Sequence, residues 1–110
     1  MSEAKIKAII KRPDERYGHS TYISKSLANL QRTVEGPIQT VSLGLSNVII
    51  CNEEGKLRGL PENFKIYRPY FHDIIVGTVI VVGVGEEDFT DVSVSFEDWK
   101  RYLREWGNEP

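Results

Sequence analysis

Hydrophobic positions along this chain recur with two periods, and they divide it into short strands and two helices. Lys5-Ile6-Lys7-Ala8-Ile9-Ile10-Lys11 alternates imperfectly, which predicts a first strand with Ile6 and Ala8 or Ile10 turned inward. Pro13 to Ser20 has almost no apolar content and is punctuated by Pro13 and Gly18, so a loop is expected. Ile23, Leu27, Leu30 and Val34 then mark one face of a helix capped by Ser24 or Ser26. Glu35-Gly36-Pro37 stops it, because glycine accepts a left-handed cap and proline cannot continue a helix. Ile38 to Leu43 predicts a second strand, and Gly44 to Asn47 a turn.

Val48-Ile49-Ile50-Cys51 is a run of strand formers, followed by the turn Asn52-Glu53-Glu54-Gly55. Lys56-Leu57-Arg58-Gly59-Leu60 alternates and is expected as the returning strand of a hairpin. Phe64 to Asp73 is aromatic-rich but broken by Pro69, giving a short strand or an ordered loop. Ile74 to Val84 is dominated by β-branched residues and predicts a central strand buried on both faces. Glu86-Glu87-Asp88 is an acidic turn, and Phe89 to Val94 offers one more short strand. Ser95 opens a final helix whose Phe96, Trp99, Leu103 and Trp106 form an apolar stripe, closed by Gly107-Asn108. The expected fold is therefore one α+β domain over residues 1–110. Its sheet is mainly antiparallel, twisted and of about five strands. Two helices cover one face, and only the first unit could be a parallel βαβ.

Composition narrows the function classes. At 110 residues, 40% apolar and 27% charged, the chain suits a single core with little room for a deep cleft. A net charge of −2 argues against nucleic acid as the main partner. The charge is uneven: residues 1–34 sum to +4, residues 35–83 to −1 and residues 84–110 to −5. One cysteine excludes an internal disulfide and a multi-cysteine metal site. No apolar segment follows the first Met or is long enough to span a bilayer, so a cytoplasmic protein without membrane contact is expected.

Several spaced motifs agree over residues 47–83: Asn52-Glu53-Glu54-Gly55, then Gly59-Leu60-Pro61 with Asn63, then Asp73-Ile74-Ile75-Val76-Gly77-Thr78 and Ile80-Val81-Val82-Gly83. In these the chain resembles the family known as domain of unknown function 3846, over roughly residues 5–94. The resemblance implies an origin in bacterial phages or other mobile elements, whose small accessory proteins often counter host defence. It brings no activity, cofactor or catalytic residue with it.

The loop Arg12 to Tyr22 is the leading site candidate on residue chemistry. Arg12 and Arg16 could grip phosphate, Tyr17 and Tyr22 could stack on a base, and His19 and Ser20 could add hydrogen bonds. Arg68 is expected to assist them. Tyr67, Tyr70 and Phe71, with Arg68, form an aromatic-basic cluster suited to a protein or nucleotide contact. Glu86, Glu87 and Asp88 are read either as a solvated turn or as part of a protein contact. Asn52-Glu53-Glu54 lacks the further ligands of a metal site, and Cys51, ending an apolar strand, reads as a small core residue. A His72-Asp73 dyad is disfavoured because consecutive strand residues face opposite ways.

The expected function is thus non-enzymatic and cofactor-free. The protein would sequester a nucleotide-like immune signal, as a homo-oligomer in the host bacterial cell. One alternative is an inhibitor that binds a host defence protein such as a CRISPR nuclease, using segments 67–71 and 86–91. Another is a small nucleotide hydrolase using His19 or His72.

Overall fold

The computed structural model describes residues 5–108. Its middle strand is β7 (Val79–Val84), buried from Val79 to Gly83. β7 lies between β1 (Lys5–Lys11) and β4 (Asn47–Asn52). Beyond β1 the sheet continues with β2 (His19–Ser24), and beyond β4 with β3 (Ile38–Gly44). The two-residue β8 (Phe89–Thr90) pairs with the end of β7, and every pairing is antiparallel. A separate ribbon is formed by β5 (Glu62–Arg68) and β6 (Phe71–Val76), also antiparallel. With the helices α1 (Leu27–Val34) and α2 (Phe96–Glu105), the fold is α+β.

Alternation along β7 sends its side chains into two cores. Ile80 and Val82 pack with Ile6, Ala8 and Ile50 under Leu30 and Val34 of α1. Val79 and Val81 pack with Ile9 and Ile49 under Trp99 and Leu103 of α2, and under Phe64, Ile66 and Ile75 of the ribbon. The helices therefore cover opposite faces of the sheet, not one. The physical reason lies in β7 itself, since a strand apolar at every position needs cover on both sides.

The helix ends follow the expected chemistry. Ser26 caps α1 by accepting from Asn29 N–H at 3.2 Å, and Ser95 caps α2 by accepting from Asp98 N–H at 3.0 Å. At the far end of α1 it is Glu35, not Gly36, that takes the left-handed position (φ 67°). Gly36 N–H then donates back to Gln31 O at 3.0 Å. Gly36 is needed for space, because a Cβ there would stand 2.6 Å from Asn52 Nδ2.

Three further expectations change. The run Ile74–Val84 is two strands in two sheets, broken at Gly77 (φ +74°). Residues 56–60 form no strand; the chain coils through local bonds such as Arg58 N–H to Glu54 O (2.9 Å) and Leu60 N–H to Gly55 O (3.0 Å). β4 already has β3 and β7 on its two edges, so a returning strand has nowhere to pair. The loop after β1 ends at Gly18, and His19–Ser24 pairs along the free edge of β1 over six positions, leaving no parallel βαβ unit.

Two asparagines fasten the ribbon to the rest. Asn63 Nδ2 donates to Lys11 O (2.9 Å) and Gly77 O (2.8 Å), while Asn63 Oδ1 accepts from Lys11 Nζ at 2.5 Å. Asn108, past α2, imitates a neighbouring strand: it accepts from Lys65 N–H and donates to Lys65 O, both at 2.8 Å.

Candidate ligand-binding site

The segment from Arg12 to Tyr22 does not converge on one point. Glu15 occupies its centre, accepting from Arg12 N–H at 2.8 Å and lying 3.4 Å from His19 Nδ1 and 3.9 Å from an Arg12 guanidinium nitrogen. Desolvation opposes ionisation of Glu15. The Arg12 backbone bond and the His19 contact outweigh it, and hold the carboxyl below its ordinary range. Tyr17 is engaged as well: its carbonyl accepts from Trp99 Nε1 at 2.9 Å, and its ring carries Arg16 at 5.1 Å and Lys100 at 5.7 Å. In the register with β1, Ser20 and Tyr22 oppose Ile9 and Lys7, whereas His19 opposes Ile10. His19 thus faces the α1 side of the sheet, and Ser20 and Tyr22 the α2 side.

Arg68 stands apart from this loop. Asn63 touches Lys11, next to Arg12, but Arg68 is five residues further along β5, roughly 16 Å at strand rise. Its Nη2 donates to Ser42 O at 2.9 Å, and its guanidinium lies 5.2 Å from the Phe71 ring.

The ribbon carries the more complete site. Phe64, Ile66 and Ile75 point into the core, so the alternate positions form an outer face. On it the register pairs Lys65 with Ile74 and Tyr67 with His72. The Tyr67 and His72 rings stack at 4.3 Å, 19° from parallel. Pro69 and Tyr70 make the two-residue connection that sets this pairing, and Tyr70 is fully exposed. A groove of about 660 Å³ is lined by Lys65, Tyr67, His72 and Ile74 of this face, together with Lys56 and with Asp73, which pairs with Ile66 and so belongs to the ribbon's other face. Lys56 Nζ is anchored by Asp73 Oδ1 at 2.5 Å, and the same oxygen accepts from Ile74 N–H at 2.7 Å. The groove therefore offers an aromatic platform, two ammonium groups and one carboxylate, within the size range of small-molecule sites.

Of the singled-out aromatic cluster, Tyr67, Tyr70 and Phe71 are exposed, and Arg68 lies over the Phe71 ring. Lys56, Lys65, Asp73 and Ile74 were not singled out as ligand contacts. A signal for part of this existed, since reading 69–70 as a hairpin turn pairs Tyr67 with His72. His72 and Asp73 form no dyad: one stacks on Tyr67, the other bonds Lys56 and its neighbour's N–H.

The acidic turn is tied down at one residue. Asp88 meets Lys25 Nζ at 2.6 Å and accepts from Phe89 N–H at 2.8 Å. These bonds hold its carboxyl below the ordinary value. Glu86 and Glu87 are exposed. This turn follows the end of β7, and β7 Val82 pairs through Val48 to Ser42, the residue Arg68 holds. The acidic turn and the ribbon tip thus stand at the same end of the large sheet.

Cys51 is buried, and desolvation pushes its thiol up despite a bond from Gln39. No group of three His, Cys, Asp or Glu suited to a metal ion occurs among the described residues, and no described helix is long and apolar enough to cross a membrane. No characterised protein and no solved structure matches the chain. One family model does, over residues 6–107, which is nearly the whole sequence. The chain belongs to that family, described as a domain of unknown function (DUF3846).

Proposed function

We propose that the protein is a non-enzymatic binding protein that sequesters a nucleotide-like ligand in the groove on the outer face of the β5–β6 ribbon. One observation carries the reading: the Tyr67–His72 stack shares a single groove with Lys56 and Lys65. A base can lie on the aromatic pair, and the ammonium groups can neutralise phosphate. Asp73 can accept from a sugar hydroxyl. In the mobile-element setting that the resemblance implies, the ligand is a host immune signal and its capture a means of immune evasion in the bacterial cytoplasm. Thermal-shift assays with cyclic nucleotides and ADP-ribose derivatives test this. Stabilisation by at least one of them, lost in Lys56→Ala/Lys65→Ala, is expected; unmoved melting curves across the panel overturn it.

A second reading, a contact with a host defence protein or with another copy of the chain, is favoured by Tyr70. Its side chain is fully exposed at a tip beside Tyr67, Arg68 and Phe71, and interfaces are enriched in such residues. Glu86 and Glu87, at the same end of the sheet, would form its charged rim. Charge reversal at Glu86, Glu87 and Asp88 should then abolish capture of the partner, and unchanged capture counts against the acidic turn as part of the contact.

A further inference from the structure

Tyr67 borders two cavities. The second, of about 320 Å³, lies between the ribbon tip and the end of α2, against Leu43, Tyr67, Arg68, Tyr102, Glu105 and Trp106. One wall is aromatic: Tyr102 stacks on Trp106 at 6.0 Å and 19°, Trp106 stacks in turn on Phe64 at 6.1 Å and 16°, and Arg101 lies 5.5 Å from the Tyr102 ring. Arg68 supplies the polar side. Its Nη2 is engaged by Ser42 O, but its Nε is buried without a hydrogen-bond partner among the described residues. A buried donor on a charged group left unpaired is costly, and native proteins rarely leave one without a reason. Because the guanidinium turns as one plane, bringing that N–H to the cavity also shifts the Nη2 bond to Ser42 O, and a ligand acceptor would have to make up for it. Glu105 adds a carboxylate, whose only ion pair among the described residues is a 3.6 Å contact with Arg101.

A ligand that satisfies this set is planar, packs against the Tyr102 and Trp106 rings, and carries acceptors for a guanidinium beside N–H donors for a carboxylate. Among the bases, guanine has that edge. Its O6 and N7 are the acceptors that arginine pairs with, and its N1–H and 2-amino group can donate to a carboxylate. Adenine puts an amine where guanine has O6, and so turns a donor toward a donor.

We propose that this cavity is a guanine pocket. The inference goes beyond the nucleotide reading and does not rest on it: Arg68 and Tyr67 face opposite ways from β5, so this cavity is a base site separate from the Tyr67–His72 groove. Intrinsic tryptophan fluorescence tests it, because Trp106 lines the cavity. The full chain is titrated with guanosine, inosine, adenosine and GMP. Guanosine should quench saturably, and at least tenfold more tightly than adenosine or inosine, which lacks the 2-amino group. Glu105→Gln should erase the difference between guanosine and inosine. Arg68→Lys should weaken guanosine at least tenfold. Arg68 also holds Ser42, so Glu105→Gln, at an exposed side chain, keeps the test independent of folding. Equal affinity for guanosine and adenosine overturns the proposal. So does binding of nucleotides of every base with none of guanosine, a result that leaves the lysine groove standing. Guanosine binding that GMP only matches supports the pocket as a base site separate from the lysine groove.

Discussion

Replacing Asn63 with alanine should unfasten the ribbon from the large sheet, and the size of the effect follows from what the side chain holds. Asn63→Ala removes two neutral hydrogen bonds, to Lys11 O and Gly77 O, together worth about 2 kcal/mol. It also takes the closer acceptor from the Lys11 ammonium, leaving it only Asn63 O at 3.5 Å on a residue 3% exposed, which costs about 1.5–3 kcal/mol more. The expected loss is about 3–5 kcal/mol, a large share of the roughly 5–15 kcal/mol a domain has to lose. Urea unfolding followed by tryptophan fluorescence measures it. The pH dependence supplies a second readout. Desolvation pulls the Lys11 amine below its ordinary 10.5, against the attraction of Glu15 and Asp14. The unfolded chain then binds this proton more tightly than the folded one. Stability therefore rises with pH in the window between the depressed folded value and 10.5. Removing the Oδ1 acceptor lowers the folded value further and widens that window, so the deficit of Asn63→Ala should shrink between pH 7 and pH 10.5. A loss under about 1 kcal/mol, against the sum of bonds above, would refute the reasoning. So would a deficit that is the same at both pH values.

Three further outcomes are expected. Gly77→Ala should cost about 1–2 kcal/mol or more in urea unfolding, because φ +74° disfavours any Cβ, and one there would stand 2.9 Å from Leu60 Cδ1. Cys51 should resist a thiol reagent such as DTNB in the folded protein and react after denaturation, since it is buried and its thiol is raised. Glu15 is held below its ordinary 4.5, so it contributes stability above that pH that is lost as pH falls through the folded value. Glu15→Gln should accordingly flatten the acid limb of the stability profile.

The helices and the middle of the sheet were legible because their signals are local. Ser26 and Ser95 announce the caps, and Trp99 and Leu103 lie on one helical face whatever they pack against. The alternation in 56–60 misled because it says nothing of available edges, and β4 has none free. The break at Gly77 was hidden inside an unbroken β-branched run, where a single glycine signals equally a bulge, a bend or nothing. His19–Ser24 holds Thr21, Tyr22 and Ile23, all strand formers, but Pro13 and Gly18 made residues up to Ser20 read as loop, and the spacing of Ile23 from Leu27 drew it onto the helical face, although it lies in β2. The site was the least legible part. Arg12, Tyr17 and His19 look like a phosphate-and-base kit in sequence, yet Glu15 and Trp99 engage them through contacts that spacing does not reveal. The Tyr67–His72 platform depends on the register across Pro69-Tyr70, and Lys56 reaches the groove only because residues 53–60 coil back beside Asp73.

The groove on the ribbon is tested most directly by isothermal titration of Tyr67→Ala beside the unaltered protein, with the nucleotide that gives the largest thermal shift. A stacked base contributes roughly 1–3 kcal/mol, so binding should weaken by about fivefold to 150-fold with folding intact by circular dichroism. Undiminished affinity in a folded Tyr67→Ala protein would contradict it.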